Sequence, residues 1–262
     1  MQRLTYNQLA YYQFDSLRED GVRHGVFTRL GGVSQSYYSS LNLSRSTGDA
    51  IEPVRENRRR MAEALGLLPH EMLTSWLVHG NRVRVVGRAD LGQDDVHADA
   101  MATNERGLAL TLRFADCVPV LFHDPVRHAA GIAHAGWVGI VAGVLPATVE
   151  AMRNAFGSDP RDIRACVGPS IGPQKFEVGE DVAARIQAAV PENIVIPPQP
   201  DGHNGSKPHI DLWRSARAQL RAAGVQQVEI AGLCTASNTA EWFSHRAERG
   251  RTGRFGALIV LE

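Results

Sequence analysis

Short strand-like runs recur along this chain at residues 82–86, 108–114, 119–122, 129–133, 163–167, 228–231 and 257–261, and several of them, such as 119–122 and 257–261, are apolar at every position. A strand with one face in water alternates polar and apolar residues. Runs without that alternation predict sheet buried on both faces, and such sheet needs further layers to cover it. Helical segments are present to do so. Pro53 opens one that runs through Met61 and Leu65 and stops before Gly66, with proline at the entry and glycine at the exit. Asp211 caps a second that carries Leu212, Ala216 and Leu220 on one face and ends at Gly224. A third starts near Gly139 and reaches Phe156, with a kink predicted at Pro146. Strands and helices mix without a regular βαβ alternation, so the expected fold is a single α+β or layered α/β domain over residues 1–262. The Pro/Gly/Asn-rich stretch 189–209 reads as a long surface loop with a short strand at 194–196, and not as a domain boundary.

Charge and cysteine content narrow the function classes. Lys+Arg and Asp+Glu are both 28, so the basic excess of a nucleic-acid binder is missing. The locally basic RENRRRMAEAL segment has glutamates at helical spacing and reads as a solvated helix face. No stretch approaches the roughly 20 apolar residues of a membrane span, and the opening MQRLTYNQLAYYQFDSL lacks the apolar core of a signal peptide. Three cysteines do not make a disulfide framework in a chain of this length. The cytoplasm is the expected compartment, with no nucleic-acid and no membrane partner.

Asp116 and Cys117 interrupt an otherwise apolar run, FADCVPVLF. A buried unpaired carboxylate is costly, and a carboxylate beside a thiol raises the thiol pKa, whereas a metal deprotonates the thiol outright. His134 ends a second apolar strand among the small residues Gly131, Ala133, Ala135 and Gly136, and His79-Gly80 precedes a third. Taken singly, Cys117 reads as a core residue and each histidine as a satisfied polar group. Taken together, two imidazoles and one thiolate at strand ends match a zinc site with three protein ligands and an open fourth position. Only the fold can bring such widely separated residues together. The loop HGVFTRLGGVSQSYYSSLNL offers Arg29 and Asn42 as binders of an anion or sugar, or else an ordinary turn. VGPSIGPQKFEVGED reads as a Gly/Pro-rich loop leading into a helix at Glu180, and FSHRAERGRTGRFG places Arg246, Arg251 and Arg254 beside glycines. His97, His123, His128, His203 and His209 read as surface residues, and Cys166 and Cys234 as inert core residues.

Taken in order, FTRLGGVS, SLNL, VHG, ADCVPVLFHDP, HAGW, GPSIGP, EVGE, FSHR and TGRFGALIV resemble the YfiH-like family, also called the laccase-domain or polyphenol oxidoreductase family. The resemblance runs from residue 25 to residue 261. It implies a usually monomeric α/β/β/α layered domain, a fold also similar to the cysteine deamidase toxins. It implies that His79, Cys117 and His134 are metal ligands, for zinc or copper. The activity it implies is purine nucleoside phosphorolysis of adenosine, inosine and methylthioadenosine, with adenosine deamination, so that a purine nucleoside and phosphate are the partners. As a zinc-bound thiolate, Cys117 would have its charge neutralised, with Asp116 orienting the site by hydrogen-bonding a backbone N–H or a ligand histidine, Arg29 orienting phosphate, and Trp137 either stacking on the purine or serving as a core residue. Three alternatives stay open: copper-dependent phenol oxidation, a metal-free Cys-His hydrolase or peptidoglycan-precursor editing enzyme, and a non-enzymatic protein with a vestigial site. The chain departs from the family pattern at Leu77, where Gln is usual, at Val138, where Arg is usual, and at Ser170 and Gln174, where Cys is frequent.

Overall fold

The computed structural model describes residues 1–18, 21–93, 97–198 and 207–262. One six-stranded sheet runs β1 (Gln2–Tyr6), β2 (Leu9–Gln13), β3 (Val22–Phe27), β14 (Phe255–Leu261), β7 (Ala109–Phe114) and β4 (Met72–Thr74) in spatial order. The other runs β13 (Gln227–Ile230), β10 (Arg164–Val167), β8 (Val118–Asp124), β9 (Ala129–Ala135), β6 (Ala100–Thr103) and β5 (Val83–Val85). A two-stranded ribbon joins β11 (Val195–Ile196) to β12 (His209–Ile210). The helices are α1 (Ile51–Ala64), α2 (Trp137–Ala142), α3 (Val144–Phe156), α4 (Glu180–Ala188) and α5 (Leu212–Ala222). None of these is long and apolar enough to cross a membrane, among the described residues.

The unbroken apolar runs are explained by where their two faces go. In β14, Ala257, Ile259 and Leu261 join a core shared by the two sheets, with Leu110, Leu112, Leu121 and Ile132. The alternate residues Leu258 and Val260 turn the other way, onto Met61, Ala62 and Leu65 of the α1 segment. In β8, Leu121 faces the inter-sheet core, while Val120 and Phe122 pack against Val144, Leu145 and Met152 of α3 and Leu220 of α5. The result is helix, sheet, sheet, helix: the layered α/β/β/α arrangement that the family resemblance implies.

Two local expectations need correction. The third predicted helix is two helices, and the break falls at Gly143, not at Pro146. Gly143 (φ 77) closes α2 and opens α3 in the left-handed region, whereas Pro146 lies in the first turn of α3, where a missing N–H costs no helical hydrogen bond. Second, His123 and His209 are buried, at 1% and 5% exposure. His97 and His128 are exposed as expected, and His203 lies outside the described residues.

His123 and His24, each 1% exposed, give the fold an acid-sensitive element. His24 Nε2 accepts a hydrogen bond from the Phe14 N–H at 2.8 Å, an acceptor role only the neutral ring can fill. Burial pushes both imidazoles down from 6.5 to about 4. The folded value lies below the unfolded one, so the contribution to stability is complete above pH 6.5 and is lost as pH falls toward 4. Unfolding free energy should therefore drop on the order of 3 kcal/mol per imidazole across that window. Denaturant titrations at pH 7 and pH 4.5 test this, and His24→Gln should remove part of the slope.

Candidate active site

The Asp-Cys interruption lies where the chain changes sheets. β7 ends at Phe114 in one sheet and β8 begins at Val118 in the other, so residues 115–117 make the crossing. Asp116 adopts φ 81, a left-handed conformation costly for a side chain with a Cβ. Its carboxylate secures the turn. One oxygen accepts from the Thr235 hydroxyl at 2.6 Å, the other from the Arg246 backbone N–H at 2.6 Å, and its carbonyl accepts from Ile171 N–H. Asp116 thus hydrogen-bonds a backbone N–H, one of the two partners anticipated for it.

The β8–β9 pairing sets Val118 against Ala135 and Pro119 against His134, which brings Cys117 and His134 to one end of the sandwich. Gly136 makes room for them: a Cβ there would stand 2.8 Å from Cys117 Sγ and 3.7 Å from His134 Cε1. At Gly139 a Cβ would meet the carbonyls of Gly80 and His134 at 3.3 Å, so α2 packs close to both histidine segments. His79 comes from the β4–β5 connection. Its ring lies 5.4 Å from that of His134, centroid to centroid and nearly perpendicular, while Phe114 stacks on the His134 ring at 5.3 Å.

The sequence reading missed Asp99. This fully buried carboxylate accepts N–H bonds from Val78 (3.1 Å), His79 (2.7 Å) and Gly80 (2.8 Å), and its backbone carbonyl accepts from the His134 N–H at 2.7 Å. One residue therefore ties both histidine segments together. It also holds His79 at φ 56, another left-handed position. The available signal was a charged residue immediately before the apolar AMAT strand, the same anomaly that drew attention to Asp116.

His79, Cys117 and His134 line a single open cleft of about 470 Å³. Trp76, Trp137 and Phe176 supply aromatic surface in it, Arg113, Arg246 and Arg254 supply positive charge, and Leu77 and Val138 also face it. Arg29 and Asn42 stand elsewhere. The Arg29 guanidinium bonds the carbonyls of Ser39 and Thr239, pairs with Glu248 at 2.9 Å and stacks on Phe243. Asn42 is fully buried and bonds Ser44, Thr47, Asp49 and the Arg254 N–H. Both side chains brace loops, and neither lines the cleft. Arg251 stacks on Tyr37, away from it.

Burial, then the Asp116 charge, pushes the Cys117 thiol up to about 12, and burial with the nearby His79, Arg113 and Arg254 pushes His134 down to about 3. The imidazole therefore stays neutral with its lone pair available, and the thiol needs an added cation to ionise. As arranged, no three His, Cys, Asp or Glu side chains among the described residues meet closely enough to hold a metal ion. In donor type the trio suits zinc or copper: one sulfur and two neutral imidazole nitrogens gathered on one wall. Cys166 is fully buried in the inter-sheet core as expected, whereas Cys234, expected in the core, is only half-buried and accepts a hydrogen bond from the Gly172 N–H.

An open cleft with convergent polar groups on a rigid two-sheet scaffold has the form of a small-molecule enzyme site. Residues 23–262 match the family described as multi-copper polyphenol oxidoreductase laccase, and the chain belongs to that family. It is 36% identical to a purine nucleoside phosphorylase of Bacteroides thetaiotaomicron over 98% of this chain and 96% of that protein. It is 40% identical to a purine nucleoside phosphorylase of Deinococcus radiodurans over 92% and 89%. The crystal structure of YlmD from Geobacillus stearothermophilus superposes with a TM-score of 0.91 at 31% identity, covering 99% of this chain and 98% of that one.

Proposed function

We propose that this chain is a zinc-dependent purine nucleoside phosphorylase acting on adenosine, inosine and methylthioadenosine, with adenosine deaminase activity at the same site. The observation that carries the proposal is the gathering of His79, Cys117 and His134 on one wall of a cleft that also holds aromatic faces and guanidinium groups. In phosphorolysis the glycosidic C–N bond breaks, positive charge develops at the ribose anomeric carbon, and a phosphate oxygen bonds to that carbon. A metal held by His79, Cys117 and His134 would supply a Lewis-acid position beside the reacting groups. The chain's own residues do the rest. Trp137 and Trp76 offer stacking surface for the flat base. The arginines neutralise and orient phosphate for attack. Asp116 and Asp99 fix the backbone from which Cys117 and His79 project. For deamination, water replaces the exocyclic amine at the purine ring, and ammonia leaves.

Thiolate and imidazole also serve copper, so metal analysis of protein purified without added metal is part of the test. Near-stoichiometric zinc, with free base released from nucleosides only when phosphate is present, supports the reading. Bound copper with phenol oxidation and no base release contradicts it.

Val138 tests the departure from the family pattern. It faces the cleft one residue after Trp137. An arginine there would add a charge-assisted hydrogen bond to an anion, worth roughly 1.5–3 kcal/mol. Val138→Arg should lower the phosphate concentration needed for half-maximal phosphorolysis roughly 10-fold or more, with metal content unchanged. An unaltered phosphate dependence in a folded, metal-loaded variant would refute a phosphate-facing role for this position.

A further inference from the structure

One corner of the cleft is crowded with guanidinium groups. Arg113 and Arg254 line the main cleft, and a recess opening from it shares Ser44, Ser46, Trp76 and Arg113 and adds Arg45 and Arg58. Several arginines elsewhere pair with carboxylates: Arg29 with Glu248, Arg60 with Glu56, Arg153 with Glu150 and Arg161 with Asp159. Arg58, Arg113 and Arg254 do not, among the described residues. Arg58 donates twice to the Leu43 carbonyl (3.0 and 2.9 Å), Arg113 to the Ser75 carbonyl (2.7 Å), and Arg254 to the carbonyls of Thr252 and Gly253 (3.1 and 2.9 Å). Asp116, whose charge reaches Arg254, already accepts from Thr235 and Arg246 with its two oxygens.

Half-buried like charges repel and lose hydration, and carbonyl dipoles return only part of that cost. Burial and the neighbouring guanidiniums push Arg58 and Arg113 down to about 10, which still leaves both charged near neutrality. A dianion with several acceptor oxygens would relieve the repulsion and use the donors that the carbonyls leave over. The hydroxyls of Ser44 and Ser46, 2.9 Å apart, stand in the same recess.

We infer that Arg58, Arg113 and Arg254, with Ser44 and Ser46, form the inorganic-phosphate site of this cleft. The inference rests on the phosphorylase reading for the role of the anion, and it moves that role from Arg29, which braces a loop, to arginines that line the cleft and its recess. The same chemistry would also hold the phosphoryl group of a nucleotide, so the test has an arm for each source.

The experiment measures binding directly, on the protein as purified, at matched ionic strength. Inorganic phosphate is titrated into wild type, Arg58→Gln, Arg58→Lys, Arg113→Gln and the remote surface control Arg153→Gln, and the thermal midpoint and calorimetric heat are followed. Phosphate should raise the wild-type and control midpoints alike. Arg58→Gln and Arg113→Gln should each bind phosphate 10- to 100-fold more weakly, and Arg58→Lys should recover part of the loss. Without phosphate the Gln variants should unfold no earlier than wild type by more than a few degrees, since a repulsive charge has gone. Nucleoside KM, read at saturating phosphate, should change less in Arg58→Gln and Arg113→Gln than phosphate affinity does.

Phosphate affinity in folded Arg58→Gln and Arg113→Gln equal to that of wild type overturns the site, even if phosphorolysis itself is observed. Phosphate binding that depends on these arginines, without cleavage of any nucleoside, retains the anion site and removes the phosphorylase reading. Arginine-dependent protection by a nucleoside 5′-monophosphate but not by inorganic phosphate overturns the assignment to inorganic phosphate.

Discussion

Cys117→Ala, His79→Ala and His134→Ala should each lose most of the bound metal and reduce nucleoside cleavage on the order of a thousandfold, the rate equivalent of the several kcal/mol a Lewis acid contributes. The fold should survive in all three. His79 is exposed and Cys117 half-buried, so truncating either opens little of the core. His134 is buried at 4% exposure and stacks on Phe114, so its alanine variant should be the least stable of the three. The comparison separates a metal site from a Cys-His nucleophile. Loss of metal should follow each substitution equally in the first case, whereas a nucleophile would make Cys117 and His134 essential and leave His79 dispensable. Wild-type metal content in any variant removes that residue from the site.

Asp99→Ala should damage activity without removing a proposed ligand. The substitution leaves three backbone N–H groups, from Val78, His79 and Gly80, without their shared acceptor. Each lost buried partner costs roughly 1–3 kcal/mol, discounted where water reaches the loop. A total on the order of 3 kcal/mol of stability is expected, because Asp99 itself is fully buried and leaves a cavity. His79 would then relax from φ 56 toward ordinary backbone. Metal affinity should fall 10- to 100-fold, the usual cost of losing a group that orients a ligand. Asp99→Asn keeps one acceptor oxygen and should recover part of both losses. A variant that loses stability yet keeps wild-type metal affinity would show that Asp99 supports the fold and does not position His79.

The layered architecture was legible because burial on both sheet faces leaves a direct mark, the loss of polar alternation. β14 shows it plainly: Ala257, Ile259 and Leu261 on one face, Leu258 and Val260 on the other, all buried. β1 was invisible for the opposite reason. It is an edge strand with Gln2, Arg3, Thr5 and Tyr6 exposed, so no apolar pattern records it; only Asn7, at φ 53 in the two-residue turn to β2, marks the hairpin. The Cys117–His134–His79 trio was legible as residue types at strand ends, but the strand pairing that assembles it is long-range and leaves no spacing in the sequence. Arg29 and Arg113 show the limit most clearly. Arg29 sits in a Gly-rich loop and looked available, yet Glu248, Phe243 and two carbonyls occupy it. Arg113 sits in an apolar strand and drew no reading from the sequence, yet it lines the cleft. Whether a guanidinium is engaged depends on partners hundreds of residues away, and a local reading does not contain them.

The central claim is that this cleft transfers the ribosyl group of a purine nucleoside to phosphate. The most direct measurement is product analysis of inosine incubated with the purified protein and inorganic phosphate, with base resolved by chromatography and phosphorus species by 31P NMR. The account predicts hypoxanthine and ribose 1-phosphate in equal amounts, with both absent for Cys117→Ala and when phosphate is omitted. Free ribose without a phosphate ester, or intact inosine after exhaustive incubation of metal-loaded protein, would contradict it.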